Sequence, residues 1–231
     1  MTHFNQEEII TFAKKVEKSL ANKGARVAIV ARVGQSPNDL PDGISYTHVA
    51  YWVYSNIQTS DGKNIRGYQI YNLYQRNEEL DVSDLVNDFP VDYFAGVFDL
   101  KAGIVIPKPK LQKAILNVIV SDTYSKLHNP NYSIVASPFN NQYQNCTEFT
   151  LDILLSAVYS TDDMDQLKAN AREYFTPQTV SLSPLKTLLG PIFVPDFTMR
   201  DHKDAIETTT FTTIKNFMDK YGLTQEAYSV N

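Results

Sequence analysis

The sequence has few of the residues that several common kinds of functional site require. Its 231 residues include one cysteine, nine glycines and four histidines. A single cysteine excludes an intramolecular disulfide framework. The phosphate-binding patterns GxGxxG and GxxxxGK[ST] and the serine-hydrolase pattern GxSxG do not occur. The histidines are scattered and no HExxH spacing is found, so the sequence predicts neither a metal site nor another cofactor.

Long apolar runs and an excess of one charge are also missing. No stretch approaches the roughly 20 apolar residues of a transmembrane helix, so stable membrane insertion is not expected. The net charge of −5 is spread along the chain, which argues against nucleic acid or anionic lipid as a main partner. What the chain does contain, 43% hydrophobic and 12% aromatic residues, is typical of a globular protein. Nothing in the sequence indicates its oligomeric state.

The apolar patterns predict an α+β protein with a single domain over residues 1–231. Its core is expected at about 25–160, followed by a C-terminal extension at about 161–231. The predicted helices are one capped by Asn5 and ended by Gly24, then about 111–127, one beginning at Cys146, about 162–175 and about 214–221. The predicted strands are 25–33, 45–54, 66–75 and 103–106, with a turn at 60–63. Three carboxylates are assigned to a solvated face of a short helical segment: Asp81, Asp84 and Asp88.

The only cysteine, Cys146, lies where a helix is predicted to begin. Asn145 is a suitable N-cap, and Glu148 three residues later would complete a capping box. The unpaired N–H groups and the dipole of a helix N-terminus favour an anion. They lower the pKa of a cysteine from about 8.5 to roughly 3.5–7.5, so the pattern predicts a nucleophilic thiolate. The alternative is an inert, buried thiol.

A thiolate nucleophile needs a base, and His48 is the histidine placed inside a predicted aromatic strand. His3, His128 and His202 fall in the terminus, a turn and a polar segment. The alternative for His48 is a structural histidine whose ring is held by packing and one hydrogen bond.

Residues 145–149, Asn-Cys-Thr-Glu-Phe, follow Tyr143 and resemble the nucleophile motif of circularly permuted papain-like hydrolases. This superfamily includes the lecithin:retinol acyltransferase-like and NlpC-like proteins, and in its permuted members the histidine strand precedes the cysteine helix, as here. The chain is most similar to one uncharacterised bacterial family of that superfamily. The resemblance spans nearly the whole chain and is carried by residues 24–28, 31–35, the His48 strand, 127–133 and 143–145.

The resemblance implies a circularly permuted papain-like (NlpC-like) fold, with an antiparallel sheet packed on the nucleophile helix. Cys146 would then attack a carbonyl group, and His48 would accept the thiol proton. A third residue should orient the imidazole from the neighbouring strand. Asn72 is the first choice, and Gln75 is the alternative, because a hairpin centred on 61–62 places it nearly opposite His48.

An oxyanion hole is expected beside the thiol. Its first donor would be the backbone N–H of Cys146, and its second would come from Gln144 or Tyr143.

Arg32, near the end of a buried strand, allows two interpretations. Its planar guanidinium could bind a substrate carboxylate. Alternatively, it could form an ion pair with Asp39 or Asp42 in the adjacent loop, and this interpretation is favoured.

Three functions are compatible with these residues. The first is a cysteine hydrolase that cleaves an amide or ester bond in a peptide or cell-wall fragment. The second is a lipid acyltransferase or thioesterase, and the third is a non-catalytic binding protein, since some relatives lack the cysteine. Residues 1–5 do not resemble a signal peptide. Relatives often carry export signals, so a periplasmic or exported protein is expected, with a cytoplasmic one as the alternative.

Overall fold

The computed structural model describes residues 3–58, 61–181, 200–203 and 205–231. The strands are β1 (Val27–Val33), β2 (His48–Gln58), β3 (Asn64–Gln75), β4 (Ser83–Asp88), β5 (Asp99–Pro107), β6 (Gln178–Val180), β7 (Ile206–Thr208) and β8 (Thr224–Val230). The helices are α1 (Gln6–Asn22), α2 (Pro90–Tyr93), α3 (Pro109–Ile119), α4 (Thr123–Lys126), α5 (Cys146–Tyr159), α6 (Met164–Tyr174) and α7 (Phe211–Lys220), with a 3₁₀ turn at Pro37–Asp39. The fold is therefore mixed α+β, as predicted.

One antiparallel sheet of six strands organises the described part of the chain, in the order β4-β3-β2-β1-β5-β8. The central strand β1 is buried on both faces, which explains its continuous apolar sequence. Helices α1 and α2 cover one face. Helices α3, α5, α6 and α7 contribute to the core on the other. Strands β6 and β7 form a separate pair.

Helix α1 confirms the local signals read from the sequence. The Asn5 side chain accepts a hydrogen bond from Glu8 N–H, and the Glu8 carboxylate accepts one from Asn5 N–H. Gly24 follows the helix with φ +65°, a left-handed conformation that glycine adopts without strain. The buried stripe that faces the sheet consists of Ile9, Phe12, Ala13, Val16 and Leu20.

The segment with three acidic residues is not helical, contrary to prediction. Asp84 and Asp88 lie on β4, which pairs with β3, and Asp81 precedes it. In chain order the three residues are spaced three and four apart, as they would be on one face of a helix. The open edge of β3, however, offers backbone hydrogen-bond partners that fix an extended conformation.

Two further differences concern the second half of the chain. The helix predicted at 111–127 is divided into α3 and α4, because the chain turns at residues 120–122, where Val120 is exposed. Strand β8 was not predicted, since its sequence, TQEAYSV, mixes polar and apolar residues without a strong period. It pairs with β5 and adds the sixth strand, so the C-terminal region contributes directly to the main sheet.

None of the described helices combines the length and the apolar character that a membrane span requires.

Candidate functional site

The start of α5 is fixed by Asn145. Its side-chain oxygen accepts a hydrogen bond from Glu148 N–H at 2.9 Å. This confirms the predicted N-cap and places Cys146 at the first helical residue. The reciprocal half of the predicted capping box is replaced, because the Glu148 carboxylate accepts a hydrogen bond from Lys168 Nζ at 2.6 Å.

The thiol of Cys146 is buried, with 8% of the residue exposed. Burial raises its pKa, although Val49 N–H, the positive charge of Arg32 and the N–H groups of Thr147 and Cys146 itself lower it. The expectation of a strongly lowered pKa at the helix N-terminus is therefore wrong. Desolvation of the thiolate outweighs the helix terminus, and the resting cysteine is a neutral thiol. Because Val49 N–H is close enough to lower the pKa of the thiol, the sulphur lies near the backbone of the residue after His48.

His48 and Asn72 are joined by a hydrogen bond of 2.9 Å between Nε2 and Oδ1. Strand β2 pairs with β3 so that Tyr51 lies opposite Tyr71. Continued by three residues, this register places Tyr74 opposite His48 and Asn72 diagonally across from it. The Tyr74 ring stacks on the imidazole, with centroids 4.7 Å apart and an interplanar angle of 14°. The imidazole is thus held by a ring on one side and an amide at its edge.

The hydrogen-bond chain continues from Asn72 to Asp88. Asn72 Nδ2 donates to Asp88 Oδ2 at 2.9 Å, and Tyr74 Oη donates to the same oxygen at 2.7 Å. A carboxylate only accepts, so it orients the amide of Asn72 with its nitrogen toward Asp88 and its oxygen toward His48. That oxygen must receive a proton donor, so His48 carries its proton on Nε2. In the neutral ring, Nδ1 then holds the free lone pair.

The imidazole is neutral over most of the pH range. Burial, followed by the positive charge of Arg32, lowers the pKa of His48 from 6.5 to about 3, although the hydrogen bond to Asn72 opposes this. A neutral imidazole with a free Nδ1 and a neutral thiol at α5 therefore describe the resting site. The pair is not a preformed thiolate–imidazolium ion pair.

Gln75, the alternative to Asn72, points elsewhere. Its side chain donates to the backbone oxygen of Leu80 at 2.6 Å. Because Gln58 pairs with Asn64, the register of β2 against β3 differs by one residue from that of a hairpin centred on 61–62, which was the basis for choosing Gln75. Because side chains alternate along a strand, this shift brings the face of Asn72 and Tyr74 to His48 and turns Gln75 to the opposite face.

Gln144 is not available as an oxyanion donor in this structure. Its amide nitrogen donates to the Leu127 backbone oxygen at 3.0 Å and to Asp152 Oδ2 at 2.9 Å. Its side-chain oxygen accepts from Asn129 N–H at 2.9 Å. All of its side-chain hydrogen-bonding groups thus hold the loop before α5 in place. Tyr143, the other predicted donor, is partly buried next to it.

Arg32 does not form the predicted ion pair with Asp39 or Asp42. Its guanidinium donates to the Tyr93 backbone oxygen. It also lies 4.9 Å from the Tyr93 ring centroid and 5.6 Å from that of Tyr74. In the described part of the chain no carboxylate lies within ion-pairing distance of it. It is therefore a cation without a counter-charge, close enough to act on both His48 and Cys146.

A cavity of about 130 Å³ opens beside Cys146. One wall is the loop that precedes β2, with Leu40, Pro41 and Ile44, and another contains the rings of Tyr46 and Tyr132. Residues 208–210, from the last residue of β7 to the N-cap of α7, complete the lining. The cavity is the space from which a small molecule would reach the sulphur.

A buried ionic cluster connects α5 to α6, and the sequence analysis did not predict it. Lys168 on α6 contacts the Glu148 carboxylate at 2.6 Å and that of Asp152 at 2.7 Å. All three side chains are almost completely buried. The spacing of Glu148 and Asp152 places them on one helix face, but their partner comes from another helix. This cluster fixes the helix that carries Cys146.

Within the described ranges, no three His, Cys, Asp or Glu side chains are grouped closely enough to hold a metal ion.

Comparison with protein-family models finds a match that covers most of the chain. The model of a family described as "uncharacterized protein conserved in bacteria (DUF2145)" matches residues 19–218, most of the chain. Neither the search of curated proteins nor that of solved structures found a match.

Proposed function

The chain belongs to the bacterial family described as uncharacterized protein conserved in bacteria (DUF2145), and we propose that it is a cysteine hydrolase. In this proposal it has a circularly permuted papain-like fold and cleaves an amide or ester bond. The proposed substrates are small peptides, cell-wall fragments or other acyl compounds. The proposal assigns the nucleophile to Cys146, the base to His48 and the orienting residue to Asn72.

One observation carries this proposal. Asn72 Oδ1 accepts a hydrogen bond from His48 Nε2, and the backbone N–H of Val49, next to His48, lowers the pKa of the Cys146 thiol at the start of α5. A nucleophile at a helix N-terminus, a base from an adjacent strand and a third group that orients the base are the arrangement expected of a cysteine hydrolase.

The proposed reaction proceeds in two halves. Cys146 Sγ attacks the carbonyl carbon while its proton passes to His48 Nδ1. The bond to the leaving amine or alcohol then breaks, that group takes the proton from His48, and a thioester remains on Cys146. Water attacks the thioester, gives one proton to His48 and releases the acid. The proton returns to the sulphur, which restores the neutral pair.

The neutral resting pair decides how the proton moves. Because burial raises the pKa of Cys146 and lowers that of His48, the thiolate is not formed before the substrate binds. The proton must therefore leave the sulphur during the attack, by general base catalysis. The uncompensated charge of Arg32 and the N–H groups around the sulphur stabilise the negative charge that develops there.

The same burial favours a second candidate, a binding protein without catalytic activity. A thiol that is 8% exposed and has a raised pKa reacts slowly by itself. In that case the cavity beside Cys146 would hold a ligand and His48 would be a structural residue.

Hydrolysis of p-nitrophenyl esters and of purified cell-wall fragments, followed for the wild type, Cys146→Ala and His48→Gln, separates the two candidates. The hydrolase proposal predicts that both variants lose activity and that the wild type forms an acyl adduct, visible by intact mass spectrometry. Unchanged hydrolysis in Cys146→Ala would exclude the proposed nucleophile, whereas no hydrolysis and no acyl adduct in the wild type would favour the binding protein.

A further inference from the structure

The part of the chain that the structure describes gives the cavity beside Cys146 an uncharged lining. Among the described residues that form it, none carries a charged side chain, and the apolar groups come from Leu40, Pro41, Ile44 and Ile134. Arg32, whose positive charge lowers the pKa of Cys146, is not among the described residues that line the cavity. Its guanidinium donates to the Tyr93 backbone oxygen instead. A charged group that entered this space would lose its water without gaining an ionic partner from the described lining.

Most of the threonines around the cavity add little polarity, because their hydroxyl groups are already hydrogen-bonded; the exception is Thr209, whose Oγ1 is buried and has no partner among the described residues. Thr147 Oγ1 bonds to the Thr209 backbone oxygen at 2.7 Å, and Thr208 Oγ1 donates to that of Ala136 at 3.1 Å. Thr47 Oγ1 accepts from Gly34 N–H at 2.7 Å. With these hydroxyls engaged, such side chains offer mainly methyl groups to a ligand.

The cavity is also small. Its volume of about 130 Å³ is close to the roughly 150 Å³ of an apolar protein cavity that binds benzene. Pockets for whole drug-sized ligands measure about 300–1,000 Å³. Only one end of a larger substrate, or a short acyl chain, fits next to the sulphur.

We propose that this cavity is the acyl pocket of the enzyme and selects a short, uncharged acyl group. This inference rests on the proposed function, in which the acyl carbon is bonded to Cys146 Sγ, and it specifies the substrate on the acyl side. It excludes a long fatty acyl chain and an acyl group that ends in a carboxylate. The leaving group lies outside the cavity and is not restricted by it.

Two alkylating reagents of nearly equal size test the pocket without any turnover. Iodoacetamide is neutral and iodoacetate carries one negative charge, and both transfer their carbon to Cys146 with loss of iodide and of the thiol proton. The urea-unfolded chain supplies the intrinsic ratio of the two rates at the same pH. Folding should raise the ratio of iodoacetamide to iodoacetate by about tenfold, because the carboxylate must be desolvated. An unchanged or lower ratio would overturn the inference.

A charge placed at the rim provides a matched pair of variants. Gln35 is exposed and lines the cavity, whereas Asn38 lies on the same loop outside it. Gln35→Lys should lower the ratio of the two rates by about threefold, and Asn38→Lys should leave it unchanged. Equal effects of the two variants would contradict a local pocket.

An ester series then links the pocket to catalysis. The p-nitrophenyl esters of acetate and butyrate should be hydrolysed at least tenfold faster, in kcat/KM, than those of octanoate and succinate. If hydrolysis depends on Cys146 but octanoate or succinate is preferred, the inference fails and the hydrolase proposal stands. If Cys146→Ala hydrolyses every ester as well as the wild type, the hydrolase proposal fails instead.

Discussion

Asn72 accepts a hydrogen bond from His48 across a diagonal of the sheet, while Tyr74 occupies the position opposite the imidazole. Because of this placement, the Tyr74 ring stacks on the face of the imidazole, and Asn72 bonds to the imidazole edge that carries Nε2. Asp88 orients the amide from the far side at 2.9 Å. The tautomer of the proposed base is thus set by a carboxylate that does not touch it.

Asp88→Asn should change the tautomer of His48. An asparagine at this position can donate to Asn72 Oδ1, which allows the Asn72 amide to turn its nitrogen toward His48. His48 Nε2 would then accept and its proton would move to Nδ1. Long-range ¹H–¹⁵N NMR of the imidazole should show mainly the Nε2–H tautomer in the wild type and a large Nδ1–H population in the variant.

Asp84→Asn is the control for this substitution, because Asp84 lies on the same strand but forms an exposed ion pair with Arg76. It should leave the tautomer unchanged. If Asp88→Asn also keeps the Nε2–H tautomer, the carboxylate does not orient Asn72.

The alkylation of Cys146 by iodoacetamide should follow a pKa above that of the unfolded chain, since burial raises it. Arg32→Met should raise this pKa further, because the variant removes a positive charge that favours the thiolate. The rate is measured from pH 6 to 10 by mass spectrometry. Arg26→Met is the control, because Arg26 is exposed and stacks on Tyr54. This variant should keep the wild-type pKa of Cys146. A thiolate that forms below the pKa of the unfolded chain would contradict the neutral resting site.

His48 should make the stability of the protein depend on pH. Its pKa is about 3 in the folded state and about 6.5 when unfolded, so the unfolded chain binds the proton first as the pH falls. The contribution is complete above about pH 6.5 and is lost as the pH falls toward 3. Between pH 7 and 5 the wild type should lose about 2 kcal/mol more of its free energy of unfolding than His48→Gln.

Urea unfolding at both pH values provides this comparison. His3→Gln, which alters an exposed histidine, should retain the wild-type pH dependence. Equal losses in the wild type and His48→Gln would show that His48 is not buried in its neutral form.

Two substitutions in the buried ionic cluster at α5 should lower the free energy of unfolding by different amounts. Lys168→Met leaves two buried carboxyl groups without their hydrogen-bonded cation and should cost about 3–5 kcal/mol of unfolding free energy. Glu148→Gln should cost less than about 1.5 kcal/mol, because burial and Asp152 raise the pKa of Glu148 well above its usual range and glutamine resembles the protonated acid. Urea unfolding at pH 7 measures both. A glutamine variant as unstable as Lys168→Met would indicate that the charge of Glu148 is essential.

Local signals predicted the parts of the fold that depend on neighbours in the sequence. The cap of α1 by Asn5, the buried strand β1 and the start of α5 at Cys146 follow from side chains a few residues apart. The contact of Asn72 with His48 was also anticipated from the pairing of their strands.

What the sequence did not predict depends on distant contacts. The pKa of Cys146 follows from how deeply α5 is buried, which no local pattern records. Asp88 reaches Asn72 because β4 pairs with β3, and its spacing from Asp84 and Asp81 suggested a helix instead. Lys168 meets Glu148 across two helices. Each of these contacts requires the packed structure.

The enclosure of Cys146 also has a consequence for the chemical lifetime of the protein. Oxidants attack thiolates that they can reach, so a buried neutral thiol is oxidised slowly. The chain has no other cysteine that could convert a sulfenic acid on Cys146 into an intramolecular disulfide. An internal disulfide therefore cannot intercept the oxidation of this sulphur, and the packing that delays its reaction with a substrate is also what preserves it from peroxide.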